Sequence, residues 1–217
     1  MSLAVVRSRA PASGRAPDVT VEVHLANGLP SFSIVGLPDL EVRESRERVR
    51  AALQNCGFEF PVRRITVNLA PADLPKESGR FDLPIALGIL AANGQIPADA
   101  LAGREFAGEL SLTGALRPMR GAFAMACGVA RDRQVAHGGA AAGLRSVSPS
   151  GSDSGSDDGG RVAGPARGAA VASNAPELYL PLESAAEAAL VPGVTVFGAP
   201  DLPALCAHLA DAPDGRL

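Results

Sequence analysis

A lysine, a serine and an arginine crowd a short polar loop that leads into an apolar helix. Lys76, the only lysine of the chain, is followed closely by Ser78 and Arg80. Asp82 comes next, and we predict that it caps a helix beginning at Leu83, because an aspartate side chain accepts the unpaired N–H groups of a first turn. Such residues beside a helix N-terminus can act as a nucleophile site, an anion cradle or a structural turn. The function of the chain depends on which of the three is present.

The composition excludes several classes of protein. With 217 residues, of which 47% are apolar, the chain can bury a substantial core. Its net charge of −3 and pI near 5.6 give no overall basic field for nucleic acid, so such a contact needs a local patch. The cysteines and histidines are spaced too widely for a disulfide framework or a metal site, and we predict reduced thiols and no metal at Cys56, Cys127, Cys206, His24, His137 and His208.

No stretch of the sequence has the character of a signal peptide or a membrane span. The apolar run near the N-terminus is too short, and the longest mostly apolar run, Leu83 to Ala92, is about half of what a bilayer crossing needs. We therefore expect a cytoplasmic protein without a membrane partner.

The first part of the chain is predicted to be an antiparallel meander. Val19 to Leu25 alternates apolar and polar residues with the period of a half-buried strand. Asn27 and Gly28 form a hairpin-type turn, and Phe32 to Val35 supplies the returning strand.

A charged helix follows this meander, with Asp39 as its predicted N-cap and Gly57 as its C-terminal glycine. Its outer face carries acidic and basic residues in near balance, and Glu44 and Arg48 have the spacing of an i,i+4 ion pair. The balance favours a solvated face over a DNA-contacting one. The second interpretation stays open because a weaker candidate basic face consists of Arg43, Arg46, Arg50, Arg63 and Arg64.

Strands and helices alternate along the rest of the chain, which predicts a two-layer α/β domain. The predicted elements are a strand at 65–69, a buried helix at 83–92, a strand at 106–112, a helix at 119–131, a strand at 177–180, a helix at 184–190, a strand at 194–197 and a helix at 202–209. Ser184 and Glu187 have capping-box spacing.

A stretch rich in glycine and serine interrupts this pattern. Residues 137–175 lack apolar periodicity and cannot bury enough surface to offset the entropy of ordering, so a disordered insertion is predicted. The predicted organisation is a first part at 1–134, an insertion at 135–176, a last part of the same domain at 177–211 and a tail at 212–217.

Four collinear runs carry a resemblance to a known family: VTVEVHLANGLPSFSIVGLPD, VRESRERVRAAL, ITVNLAPADLPKESGRFDLPIALGILAA and FAGELSLTGALRPMRGA. The chain resembles the N-terminal domain of the ComM/YifB family of magnesium-chelatase-like AAA+ ATPases. The resemblance implies the fold of the Lon protease domain, shared with one domain of a small-subunit ribosomal protein. For the full-length protein it implies an ATP-driven hexameric DNA motor that acts in branch migration during natural transformation.

Lon-type proteases use a Ser-Lys dyad, in which a lysine of lowered pKa takes the serine proton. The family's serine stands five residues after the proline of a PKDGPSAG-like motif, and counting from Pro75 leads to Arg80. The lysine stands fifteen residues after the first glycine of a GE-x-x-L-x-G motif, and counting from Gly108 leads to Phe123. Neither residue can perform the reaction, so no catalytic residue is predicted.

An ATP site is not predicted in this chain either. A P-loop requires GxxxxGK[ST], whereas Lys76 follows a proline and precedes a glutamate. We expect a fragment or a truncated product whose tail leads toward an absent ATPase module, and the resemblance implies ATP and Mg only for that module. The partners it implies are other copies of the chain in a ring and DNA.

A binding function remains for the polar loop. Lys76 and Arg80 near the start of the following helix, with Arg117 and Arg120, form the candidate surface for an anion, DNA or a neighbouring subunit. A structural role, with Arg80 paired to Asp82, Glu77 or Asp73, is the competing interpretation. Two other functions stay open: a hydrolase with Ser78 as a relocated nucleophile, and a purely structural interaction module.

Overall fold

The computed structural model describes residues 2–10, 15–142, 175–212, 215 and 217, with side chains described up to residue 135 in the second range. The strands are β1 Ser2–Arg9, β2 Asp18–Ala26, β3 Ser31–Val35, β4 Arg64–Ala70, β5 Arg104–Phe106, β6 Glu109–Leu110, β7 Leu116–Arg117, β8 Glu177–Pro181 and β9 Thr195–Ala199. The helices are α1 Leu40–Asn55, α2 Asp82–Ala92, α3 Ala122–Ala142, α4 Leu182–Ala188 and α5 Leu202–Leu209.

Seven of the strands form one sheet in the order β3-β4-β2-β1-β5-β8-β9. β2 lies between β1 and β4 and is antiparallel to both. The remaining neighbours, β3 with β4, β1 with β5, β5 with β8 and β8 with β9, are parallel. A mostly parallel central sheet with interleaved helices confirms the α/β class.

The hairpin predicted at Asn27 and Gly28 is wrong. β4 lies between β2 and β3, and β3 pairs in parallel with β4 over Ser31 to Val35. Parallel strands need a long crossover connection, which α1 supplies between β3 and β4. The non-local β3-α1-β4 unit therefore determines the pairing, and the Asn-Gly turn only reverses the chain.

Helices α1, α2 and α5 pack on one face of the sheet and form the main core. α2 is apolar on all sides and almost entirely buried, as predicted, and it crosses β1 and β2. At Gly88 a Cβ atom would lie only 2.4 Å from a methyl carbon of Val23 and 3.4 Å from one of Val6, so this close approach requires glycine.

Helices α3 and α4 lie on the opposite face, over β5, β8 and β9. Successive residues of β8 show this, because Tyr179 packs into the main core whereas Leu178 and Leu180 pack with α3 and α4. Over β1 to β4 the same face carries no described helix except at the end of β1, where α3 packs against Arg9, and Leu3 and Val5 are 63% and 49% exposed there. The predicted two-layer arrangement thus holds for one half of the sheet only.

Several predicted element ends differ from the structure. Asp39 is confirmed as the N-cap of α1, since its carboxylate accepts from the Val42 N–H at 2.7 Å. The prediction for Asp82 is wrong: α2 begins at Asp82 itself, and this carboxylate binds other elements. Ser184 is not a cap either, because α4 begins at Leu182 and the serine oxygen accepts from the Met119 N–H at 2.9 Å. The strand predicted at 106–112 is divided between β5 and β6.

The predicted insertion lies mostly outside the described residues. Its first eight residues, 135–142, form the end of α3, which extends beyond the predicted helix end at Arg131. β8 and β9 follow the undescribed segment 143–174 and join the same sheet as β1 to β5. The three cysteines are free thiols. In the described part of the chain, no helix is both long and apolar enough to cross a bilayer.

Candidate functional site

The polar loop before α2 is held to the start of α1 by its backbone. Lys76 forms a β-bridge with Pro38, its carbonyl accepts from the Asp39 N–H at 3.1 Å, and its own N–H donates to the Leu37 carbonyl at 3.4 Å. The Lys76 side chain is fully buried, and its ammonium group donates to the Pro71 carbonyl. Burial lowers the pKa of Lys76, which the charge of Asp73 opposes. Lys76 therefore braces the loop from inside and offers no charge at its surface.

Arg80 is also buried, with only 6% of its surface exposed. Its Nε donates to Ser78 Oγ at 3.0 Å and its Nη2 to the Arg120 carbonyl at 3.3 Å. Nη1 has only a weak contact of 3.9 Å with the sulfur of Met125. Burial lowers the pKa of Arg80, and only the charge of Glu77 opposes it. Among the described residues, no carboxylate lies within ion-pair distance of this guanidinium.

The carboxylate of Asp82 is bound by residues of α1 and is not a partner of Arg80. It accepts from Arg48 Nε at 2.7 Å, from the Leu110 N–H at 3.2 Å and from the Ser45 hydroxyl. Burial raises the pKa of Asp82, while hydrogen bonds from Arg48 and Ser45 lower it. Sequence reasoning missed this cluster, although Ser45, a polar residue within the apolar stripe of α1, was a signal that a buried partner exists.

No base is hydrogen-bonded to the Ser78 hydroxyl in the described structure, although the Asp39 carboxylate accepts from the Ser78 backbone N–H at 3.4 Å. Its backbone has φ of 69°, in the left-handed region that a non-glycine residue rarely adopts. Its hydroxyl is bound by Arg80 Nε, a donor that cannot take a proton, and the Lys76 ammonium points to Pro71 instead. The two residues thus do not form the nucleophile-base contact that a hydrolase needs.

The structure brings the two loops that carry the counted dyad positions together, since Arg80 bonds the carbonyl of Arg120. Phe123, the second counted position, lies in the first turn of α3, is 45% exposed, and donates its N–H to Glu187 at 3.4 Å. Arg117 and Arg120 are exposed, and Arg117 lies 3.9 Å from the Glu109 carboxylate. The four residues of the candidate surface are therefore divided, with Lys76 and Arg80 inside and the other two outside.

The weaker candidate basic face lies along edge strand β3. Arg43 and Arg46 line a groove of about 350 Å³ beside Ser33 and Ile34, and Arg46 reaches the Phe32 carbonyl at 3.5 Å. A second groove of about 160 Å³ is lined by Pro30, Ser31, Arg50, Gln54, Phe60, Pro61, Val62 and Arg63.

The two grooves share a charge pattern. Their described linings hold four arginines and no carboxylate. The guanidinium of Arg50 lies 4.7 Å above the ring of Phe60, which fixes it in place. The predicted pair of Glu44 and Arg48 is present at 3.6 Å, but Arg48 also turns inward to Asp82. Arg64 is exposed at the start of β4, near Gly28.

The described residues contain no group of three or more His, Cys, Asp and Glu side chains that could hold a metal ion. The chemistry that their arrangement supports is binding through guanidinium groups: one buried at Arg80 and four along the edge of the sheet.

Comparison with known proteins gives the family. The sequence model described as subunit ChlI of Mg-chelatase matches residues 21–137, more than half of the chain. Competence protein ComM of Haemophilus influenzae is 61% identical over 121 residues, which are 56% of this chain and 24% of the relative. A protein named YifB of Salmonella typhimurium is 56% identical over 126 residues, 58% of this chain and 25% of the relative.

A more distant relative shows the same coverage. An uncharacterised protein of Mycobacterium tuberculosis is 42% identical over 114 residues, 52% of this chain and 23% of the relative. The chain spans about a quarter of the length of each of these relatives. On the profile match and these identities, the chain belongs to the ComM/YifB family of magnesium-chelatase-like proteins and corresponds to its N-terminal region.

Proposed function

We propose that this chain is a non-catalytic domain that gives a magnesium-chelatase-like AAA+ ATPase of the ComM type a contact with DNA. The whole protein would be an ATP-driven hexameric motor that acts on branched DNA in natural transformation. The name of the Haemophilus relative, a competence protein, supports that setting. No described base is hydrogen-bonded to the Ser78 hydroxyl, which supports a binding role over a hydrolytic one.

The observation that carries the DNA contact is the charge pattern of the two grooves beside β3. Arg43, Arg46, Arg50 and Arg63 line them without a carboxylate in either described lining. A guanidinium group can bind one phosphate through two parallel N–H···O hydrogen bonds. Neutralising the phosphates also releases counterions from the DNA, which favours binding. Because the overall charge is −3, the interaction needs a local basic patch of this kind.

This location differs from the surface favoured by the sequence. Lys76 and Arg80 are buried, so they cannot meet a phosphate chain without opening the loop. Arg117 and Arg120 remain exposed, and Arg117 faces Glu109. These two exposed arginines line neither groove, so they are a matched control for the groove arginines.

The test is DNA affinity by fluorescence anisotropy, with labelled single-stranded and branched DNA over a range of salt concentrations. We expect the double variant Arg43→Gln, Arg46→Gln to bind on the order of tenfold more weakly at low salt. It should also lower the slope of log affinity against log salt by about 1.4–1.8, because each lost phosphate contact removes about 0.7–0.9.

The double variant Arg117→Gln, Arg120→Gln removes the same charge from the other surface, and it should change neither affinity nor slope. Equal losses for the two double variants would show a general charge effect, and unchanged binding by the groove variant would exclude the proposal. Light scattering on the same samples distinguishes a DNA contact from ring assembly. A variant that forms fewer oligomers but keeps its DNA affinity indicates a role in ring assembly.

A fluorophosphonate reagent tests the remaining hydrolase hypothesis. The wild-type chain and the Ser78→Ala variant should show the same background labelling, because the Ser78 hydroxyl has no described base. Labelling of the wild type alone would establish an active nucleophile.

A further inference from the structure

Arg80 is buried, and no carboxylate of the described residues forms an ion pair with it. A buried guanidinium keeps its proton, and in a low-dielectric site it needs a carboxylate or another anion to offset its desolvation. Arg80 is 94% buried by accessible surface, yet its described acceptors are a hydroxyl, a carbonyl and a thioether sulfur, all uncharged. The sulfur contact, at 3.9 Å, is the weakest of them.

The nearby described carboxylates do not supply this charge. Asp39 accepts from the Val42 N–H at 2.7 Å and from the Ser78 N–H at 3.4 Å, and it forms no ion pair with Arg80. Glu109 lies against Gly79 but is oriented toward Arg117, and Glu187 binds the N–H of Phe123. Glu77 is exposed and acts on Arg80 only at a distance. Asp82 is taken by α1.

The surroundings of Arg80 add a second positive feature. The Nη1 and Nη2 atoms of Arg80 contact Met125 and the Arg120 carbonyl, so the guanidinium lies beside the first turn of α3. The N-terminus of a helix carries a partial positive charge from its unpaired N–H groups, and in α3 the Glu187 carboxylate offsets part of it by binding the Phe123 N–H at 3.4 Å. A cation next to that end raises the electrostatic free energy of the folded chain, and an anion between the two would lower it.

We propose that Arg80 and the first turn of α3 form a binding site for a small oxyanion of the phosphate or carboxylate type. A guanidinium has five N–H donors, and the described bonds of Arg80 occupy three of them, one only weakly. The Ser78 hydroxyl accepts from Arg80 and keeps its own hydrogen for a ligand. The oxyanion would replace the contact with Met125 and accept from the guanidinium and from Ser78.

This site does not depend on the proposed DNA contact. It lies inside the loop, whereas the arginines of the grooves lie along β3. The bound group is a single oxyanion, either free in solution or at the end of a partner's side chain, and the burial of Arg80 excludes an extended phosphate chain.

The experiment is thermal unfolding of the full chain with increasing phosphate, sulfate or acetate, at constant pH and with chloride as the ionic-strength control. We expect the wild-type melting temperature to rise saturably in at least one series, by about 3–6 °C at a tenfold excess over the dissociation constant. The Arg80→Met variant should not respond. Arg80→Lys, which keeps the charge but loses the fork, should respond more weakly, and Arg117→Gln should respond as the wild type does.

Two results would overturn the site: no stabilisation of the wild type by any of the three anions relative to chloride, or an equal response in the wild type and Arg80→Lys. The Arg80→Lys comparison decides the question even where Arg80→Met does not fold. Phosphate stabilisation without acetate stabilisation indicates a phosphate ligand, and the reverse indicates the carboxylate of a partner. DNA affinity of Arg80→Met, measured separately, should equal that of the wild type.

Discussion

Two buried arginines of this domain have opposite electrostatic surroundings. Arg9 is 1% exposed and Arg80 is 6% exposed. Arg9 binds the Glu105 carboxylate through Nε and Nη2 at 2.6 and 2.8 Å, and Nη2 also lies 2.7 Å from Asp132. The described acceptors of Arg80 are all uncharged.

The pKa values move in opposite directions for this reason. Burial lowers the pKa of Arg9, but the bonds and charges of Glu105 and Asp132 outweigh it, and the net result is a raised pKa. Burial lowers the pKa of Arg80 with only Glu77 against it. Burial alone therefore does not give an arginine a structural role. Arg9 joins β1, β5 and α3 through its ion pairs, whereas no described carboxylate pairs with Arg80.

Replacing Arg9 by methionine should have the largest effect. The Arg9→Met variant would leave Glu105, itself 5% exposed, as an unpaired buried charge, and we expect a loss of about 3–5 kcal/mol in the free energy of unfolding. Urea denaturation measures it. The double variant Arg9→Met, Glu105→Met should recover a substantial part, and an equally unstable double variant would show that packing, rather than charge, was lost.

Arg48 provides an intermediate case, because its partner Asp82 also has Ser45 and a backbone donor. For Arg48→Met we expect a loss of about 2–3 kcal/mol at neutral pH. The loss should shrink as the pH falls through the raised pKa of Asp82, since protonation removes the unpaired charge. Urea denaturation at a series of pH values tests this, and a loss independent of pH would contradict it.

Arg80→Met should have the opposite sign to Arg9→Met. Without phosphate or carboxylate buffers, replacing an unpaired buried charge by an apolar side chain of similar length should raise the free energy of unfolding by about 1–2 kcal/mol. Chemical denaturation in a chloride-only buffer is the measurement. A loss as large as that of Arg9→Met would remove the contrast between the two sites.

The smallest effect is expected at the exposed arginine of the neighbouring loop. Arg117 is 61% exposed and 3.9 Å from Glu109, so Arg117→Ala should change the free energy of unfolding by less than about 0.5 kcal/mol. The same denaturation series includes this variant as the baseline. A change above about 1 kcal/mol would mean that the loop holds Arg80 in place through Arg117.

The sequence predicted most helices and strands because their apolar periods are strong, and α2 shows this most clearly. It failed at the turn of Asn27 and Gly28, where the partner strand β4 lies more than thirty residues further along the chain. Local turn chemistry cannot reveal a pairing that depends on the packing of α1.

The candidate site was predictable in part. Counting along the family motif places Arg80 where Lon-type proteases have their serine. In the structure, Arg80 donates to the Arg120 carbonyl, so the two loops are in contact. The burial of Lys76 was not predictable, because it depends on the bridge between this loop and Pro38. Asp82, the carboxylate nearest to Arg80 in the sequence, is bound by Arg48 of α1 and does not pair with Arg80.

The most direct test observes the arginine side chains themselves. In the full chain, the Nε–H signals of the arginines would be followed by NMR while phosphate replaces chloride at constant ionic strength and pH. We predict that the Arg80 signal shifts saturably while the Arg9 signal, already held by Glu105 and Asp132, stays in place. An Arg80 signal that does not move, or moves no more than that of exposed Arg117, would contradict an oxyanion site at Arg80.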